Sequence, residues 1–271
     1  MKGYSTLSFD VDSWRTTLEA HGLKEDPADD FIIREGLPGI LDLLLREKVK
    51  CTFFVTGREV VRYPDEHRRI VEEGHEAANH TFSHHPSFRL LSGDEKKTEI
   101  LEADRIITEI LARPTGFRAP GYQVDEETLN ILSEAGYLYD SSVVPYSLFC
   151  RAFLRLSRRV QPDPSRLMEL PISSSVLLKI PINGTTIINL GFEWFRLNCR
   201  LLLRRGLPLN INFHARDGVG SLPREKGLPA YLFRGKKKSM EVLKRVLSFL
   251  QENTAIMTCA RLAGRMGEWT L

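Results

Sequence analysis

Only four cysteines occur in 271 residues, Cys51, Cys150, Cys199 and Cys259, and no two stand at C-x-x-C spacing. That excludes a readable zinc ribbon or redox pair, and reduced thiols of the cytoplasm are the expectation. Met1 to Tyr4 lacks the charged start and apolar stretch of a secretory leader, and no apolar run approaches the ~18 residues of a membrane span. A soluble intracellular protein is therefore expected. Net charge is nearly absent as well: 38 Lys and Arg against 35 Asp and Glu give no argument for nucleic-acid binding. Neither a fixed-period repeat nor a low-complexity tract is present.

What is present is 42% apolar residues, enough to bury the core of one large domain. The charge is unevenly spread. Tyr146 to Gly206 holds ten Lys/Arg and three Asp/Glu, a local +7 that leaves −4 elsewhere. Pro145, Pro162, Pro164 and Pro171 interrupt this region, so residues 143–206 read as a basic segment inserted in a single domain spanning 1–271. Within it, Glu193 to Arg205 reads as a helix that mixes Arg196, Arg200, Arg204 and Arg205 with Trp194, Phe195, Leu197, Leu201 and Leu202. That composition suits peripheral contact with the inner membrane face, and equally a solvated face packed on the domain.

Strands and helices alternate along the chain. Leu7–Asp10, Cys51–Val55, His75–Asn79, Gly116–Arg118, Tyr137–Asp140, Leu209–Phe213 and Ala255–Cys259 read as strands. Helices are expected after Pro38, from Glu59 to Gly74, from the Ser92–Glu95 capping box, after Asp125 and over Lys237–Leu250. Residues 13–35 form a long polar connection, read as a surface loop or a lid, and Asn183-Gly184 between apolar arms signals a hairpin over Ile180–Ile187. About seven strands alternating with helices favour a barrel-like or open α/β fold.

Chemistry gathers at the strand ends. His80 and His84 stand four residues apart, the spacing that puts two imidazoles on one side of a helical turn. With Asp12 they form a two-imidazole, one-carboxylate set that holds a catalytic divalent metal, zinc above others, while leaving positions open. Asp10 shares a strand face with Asp12 and is the candidate base. His214, ending another strand, is the candidate acid, with a carboxylate such as Asp140 to hold its ring. A backbone N–H near Gly121 or Tyr122 is the candidate oxyanion donor. Such a set suits hydrolysis of an amide or ester.

In type and order these residues resemble the polysaccharide deacetylase family of carbohydrate esterases. Ser8–Asp12 is similar to the first motif, with Val11 between two carboxylates that are adjacent in most members. This spacing resembles the branch that includes intracellular peptidoglycan deacetylases and lipid-linked aminoarabinose deformylases. His80-Thr81-Phe82-Ser83-His84 meets the second motif in full, and Arg118-Ala119-Pro120-Gly121 meets the third. Tyr139–Ser142 resembles the fourth without its usual Trp, and Asn212–His214 resembles the fifth. The resemblance implies a distorted barrel of about seven βα units, Asp10 as base, Asp12, His80 and His84 as metal ligands, Arg118 orienting the base and His214 as acid. It also implies removal of N-acetyl or N-formyl from an amino sugar of a cell-surface glycan or its lipid-linked precursor.

Two other classes fit parts of the pattern. Phe9–Asp12 also resembles the Asp-x-Asp motif of haloacid-dehalogenase-type phosphatases, but Ser13-Trp14 and the lack of a late acidic pair oppose it, and it leaves His80 and His84 unexplained. A non-catalytic, metal-bearing sugar-binding module would not need the full set of catalytic residue types.

Overall fold

The computed structural model describes residues 2–23, 30–144 and 167–269. Its centre is a parallel sheet in the order β6–β5–β4–β3–β2–β1–β7, with β8 also pairing β1. The strands are β1 (Gly3–Val11), β2 (Thr52–Val55), β3 (Glu76–Asn79), β4 (Gly116–Phe117), β5 (Tyr139–Asp140), β6 (Met168–Glu169), β7 (Leu209–His214) and β8 (Thr254–Ile256). Seven strands curl into an open, distorted (β/α)7 barrel. Its seam, between β6 and β7, is closed by the chain that leaves β6: Ser173 N–H donates to Asn210 O at 2.9 Å, and Asn183 bridges Asn212.

Alternation along the strands sorts side chains onto two faces. On β1 and β7, Leu7, Phe9, Val11, Leu209, Ile211 and Phe213 enter the large apolar layer shared with the helices. The intervening positions, Ser8, Asp10 and Asp12 with Asn210, Asn212 and His214, face the barrel interior. Below them Phe54, Ala78, Tyr139 and Leu170 pack on Cys259, Leu262 and Ala263 of the last helix, which plugs the N-terminal end of the barrel.

The helices of the described residues are α1 (Trp14–Glu19), α2 (Leu37–Glu47), α3 (Gly57–Arg62), α4 (Pro64–Glu72), α5 (Gly93–Ile110), α6 (Glu126–Glu134), α7 (Gly184–Leu190), α8 (Phe192–Arg204), α9 (Ser239–Asn253) and α10 (Cys259–Trp269). The capping box at Ser92 and Glu95 opens α5, and Asp125 caps α6 by accepting Thr128 N–H, as their sequences dictate. Other expectations are corrected. The helix foreseen from Glu59 to Gly74 is two, because Pro64 supplies no N–H and forces Tyr63 out of the helical region, to φ −133° and ψ 60°. Asn183-Gly184 is a helix start: Asn183 Oδ1 accepts Thr186 N–H at 3.0 Å, while the actual antiparallel bridge joins Ser174 and Pro181. The last strand stops at Ile256, and Cys259 already begins α10.

The connection after β1 contains α1 and a π-helical turn at Ile32–Gly36, while residues 24–29 lie outside the described part. Of the basic segment at 143–206, residues 145–166 lie outside it too. The remainder supplies β6, α7 and α8, and α8 buries Phe195 and Cys199 against the domain. No helix among the described residues is long and apolar enough to cross a membrane.

Candidate active site

Register delivers the reactive groups. β1 and β7 pair from Ser5↔Leu209 to Asp10↔His214, so the candidate base and acid are nearest neighbours across two parallel strands. Asp12, just past β1, meets His80 and His84 from the loop after β3: Asp12 Oδ1 lies 3.6 Å from His80 Nε2 and 3.5 Å from His84 Nε2. A tetrahedron with metal–ligand bonds of ~2.0–2.1 Å has edges of about 3.4 Å, so the three donors stand close to ligand separation. Asp12 Oδ1 is buried and accepts no hydrogen bond among the described residues. This buried acceptor, with two imidazole nitrogens beside it, fits a divalent metal ion.

The two histidines are not on a helical turn. Thr81 (φ 67°) and His84 (φ 57°) are both left-handed. Side chains compete for the backbone here: Asn79 Oδ1 accepts Thr81 N–H at 2.7 Å and Thr81 Oγ1 accepts His84 N–H at 3.1 Å. The resulting loop still brings the imidazole rings to 4.9 Å between centroids. His80 Nδ1 donates to Arg118 O at 2.6 Å, which leaves Nε2 as the lone-pair donor toward Asp12.

Behind the site Arg118 is fully buried and lies over Phe54, with its guanidinium carbon 3.9 Å from the ring centroid. Its Nη1 donates to Asp10 Oδ1 at 2.6 Å, Ser8 Oγ at 3.1 Å and Asn212 Oδ1 at 2.9 Å. Its Nε and Nη2 go to Ser141 O and Ser141 Oγ. Asn212 Nδ2 donates to Asp10 Oδ2 at 3.0 Å and to Tyr122 Oη at 2.8 Å. In the sequence Asn212 stands only within the fifth motif, with no role of its own. The available signal was period two, since 210, 212 and 214 are polar in an otherwise apolar strand.

His214 Nε2 faces Asp10 Oδ2 at 3.7 Å and Asp12 Oδ2 at 3.8 Å. The turn that follows is pinned: His214 N–H donates to Asp217 Oδ2, and Lys236 Nζ, itself buried, pairs with Asp217 Oδ1 and donates to Arg216 O. A cavity of about 200 Å³ is lined by Asp10, Asp12, His80, His84, Gly121, Tyr122 and His214, together with Arg216 and Tyr231 and with Thr16, Thr17 and His21 from the region of α1. The connection after β1 thus forms a wall of the cavity.

Asp140 lies elsewhere. It is fully buried and caps its own turn, accepting Ser142 Oγ–H at 2.6 Å and Ser142 N–H at 3.0 Å. Ser142 Oγ in turn accepts Ala119 N–H at 2.8 Å, so Asp140 fixes the Arg118 strand end, and the carboxylates facing the His214 ring are Asp10 and Asp12. The N–H of Tyr122 is also committed, donating to Ala119 O at 3.0 Å. Gly121 and Tyr122 still wall the cavity, both in left-handed backbone.

Burial pushes the Asp10 carboxyl upward, but Arg118, His80 and His214 outweigh it and hold the group well below the ordinary carboxylate range. Burial likewise acts upward on Asp12, and the three histidines reverse it. His84 is pushed down by burial, and His214 to about 4 by burial and the Arg216 charge. Asp10 and Asp12 are therefore anionic near neutrality, and the rings of His84 and His214 uncharged.

Fold and site together define an α/β-barrel protein with a metal-competent centre at the C-terminal ends of its strands. Residues 26–139 match the polysaccharide deacetylase family model. A peptidoglycan deacetylase-like protein of Gibberella zeae is 32% identical over 145 residues, covering 51% of this chain and 42% of that protein. A peptidoglycan-N-acetylglucosamine deacetylase of Bacillus cereus is 36% identical over 101 residues, covering 37% and 46%. The chain thus spans under half the length of these two curated relatives. A solved Mycobacterium smegmatis protein assigned as a polysaccharide deacetylase superposes over 100% of this chain and 92% of its own, with a TM-score of 0.69 at 22% identity, which shows the shared fold. Over residues 26–139 the chain is thus similar to the polysaccharide deacetylase family.

Proposed function

We propose that the protein is a metal-dependent N-deacylase, removing N-acetyl or N-formyl from an amino sugar of a cell-surface polysaccharide or its lipid-linked precursor. The observation that carries this reading is the Asp12–His80–His84 set beside Asp10 and His214 in one cavity. The family match and the deacetylase relatives support it. A phosphatase of the Asp-x-Asp type has no use for the two imidazoles.

Zinc suits one carboxylate and two neutral imidazoles best. A divalent ion held there supplies Lewis acidity, which polarises an amide carbonyl and acidifies water. Asp10 is the base: its Oδ1 is fixed by Arg118 while Oδ2 faces the cavity side, within 3.7 Å of His214 Nε2. A proton collected at Asp10 Oδ2 therefore has one ring nitrogen to pass to, and His214 delivers it to the leaving amine. Gly121 and Tyr122 line the same cavity.

Access to a lipid carrier is supported by Arg196, Arg200 and Arg204 on α8, which also exposes Leu197. Sedimentation with vesicles of neutral and anionic lipid checks this, and equal partitioning would remove it. For the activity itself, acetate and formate release is measured over a panel of N-acylated amino sugars, with and without chelator. Release that chelator does not suppress, or phosphate release in its place, would overturn the reading.

A further inference from the structure

The cavity holds one cation that the chemistry above does not use. Arg216 follows the candidate acid by two residues, and its side chain is only 12% exposed. Yet its guanidinium makes no hydrogen bond among the described residues. The carboxylate within 4 Å of it among the described residues is Asp12, at 3.7 Å from Nη1 to Oδ2, outside hydrogen-bonding range. The contrast with Arg118 is direct, since Arg118 places all three nitrogens on protein acceptors.

Arg216 is nevertheless held in place. Its carbonyl oxygen accepts Lys236 Nζ at 3.0 Å, and Lys236 is locked to the buried Asp217. Gly218, two residues on, passes so near Gly36 that a Cβ on it would stand 2.1 Å from Gly36 O. A rigid turn thus holds a guanidinium with unused donors in the cavity lining, next to Asp12 of the metal-competent set. Its planar donor fork matches the oxygens of a phosphate or carboxylate.

We infer that Arg216 is a specificity-determining residue that binds an anionic oxygen group, phosphate or carboxylate, carried by the substrate close to its N-acyl group. The inference rests on the hydrolase reading above and narrows it to acidic amino sugars. A neutral amino sugar would leave the donors unmet in a partly dry site, whereas an anion satisfies them. Charge-assisted hydrogen bonds carry a net of ~1.5–3 kcal/mol, which corresponds to a preference of about tenfold to a hundredfold.

The test uses the full chain as purified, with three probes: methyl N-acetylglucosaminide, N-acetylglucosamine 1-phosphate and N-acetylmuramic acid, each also in N-formyl form. Wild type is expected to favour one acidic probe over the neutral one by about tenfold or more in kcat/KM, mainly through KM, with KM rising as salt is added. Whichever acidic probe wins separates phosphate from carboxylate. In Arg216→Gln the acidic-to-neutral ratio should fall to about threefold or less, and Arg216→Lys should recover part of it.

Several results would overturn the inference: no acidic preference or salt response in wild type, a preference that survives Arg216→Gln, or metal content that falls with Arg216→Gln and thereby shows support of Asp12 instead. If no probe is cleaved, the hydrolase reading fails separately and calorimetric titration with N-acetylglucosamine 1-phosphate decides the role of Arg216. A tenfold weaker affinity in Arg216→Gln then sustains it, and equal affinity refutes it. The salt response of wild type decides the matter even if the variant does not fold.

Discussion

The ring of His80 donates from Nδ1 to the carbonyl oxygen of Arg118 at 2.6 Å, joining the loop after β3 to the end of β4. One hydrogen bond fixes the tautomer of a proposed metal ligand with the backbone of the residue that holds the proposed base. Ligand and base are therefore separable in their side chains but share a support.

Removing ligands should separate binding from turnover. His80→Ala and His84→Ala are expected to lower metal affinity by at least about 100-fold, because loss of a direct ligand exceeds the usual effect of a supporting residue. Asp10→Asn should retain the metal and lose turnover. Equilibrium dialysis with elemental analysis checks both, and unchanged metal content in the two histidine variants would discard the ligand assignment.

Arg118→Ala should be among the most destabilising single changes. It leaves Asp10 buried without its cation and empties the place over Phe54, at a cost of ~3–5 kcal/mol. Arg118→Lys keeps the charge but cannot reach Asp10, Asn212 and Ser141 together. Urea unfolding of both variants provides the comparison, and a loss below about 1 kcal/mol in the Ala variant would mean that Asp10 finds water or another partner.

Asn212→Leu should reduce kcat by about 10- to 100-fold with metal content intact, since Asp10 Oδ2 and Tyr122 Oη both lose their donor. Steady-state kinetics with metal analysis tests it. An effect confined to KM would move Asn212 from orienting the base to contacting substrate.

Acid lability should trace partly to His67, which is fully buried and donates from Nδ1 to Tyr63 O at 2.7 Å. Burial drives its pKa from 6.5 down to about 4. The folded state therefore binds fewer protons than the unfolded chain between those values, and stability falls as pH drops from 6.5 to 4. The full penalty, ~3 kcal/mol, applies below the lower value, and none applies above the upper. Denaturation midpoints across this range should decline less steeply in His67→Gln, and parallel slopes would refute the attribution.

The strand-end residues were legible because their chemistry is rare and their order is fixed along the chain. Asp10, Asp12, His80 and His84 could be named before any contact was known. Local rules failed where one signal serves two structures. Asn-Gly marks a hairpin turn and also a helix start, and Asn183 had a Thr three residues on to complete the second. Four-residue spacing suits a helix, but Asn79 and Thr81 offered the backbone other partners. Asn212 and Arg216 were hidden for another reason. Their importance lies in a register across some 200 residues of chain and in a turn anchored by the distant Lys236.

That register also divides the site in time. A ribosome that has emitted β1 to β4 has already released Asp12, His80, His84 and the Arg118 carbonyl that steadies His80. His214, the proposed proton-handling partner of Asp10, follows nearly a hundred residues later, on the strand that pairs with β1. On the proposed roles, the cation-holding residues are thus all made before the residue that would complete bond cleavage. Under that reading, hydrolytic competence would arise only once β7 has been made.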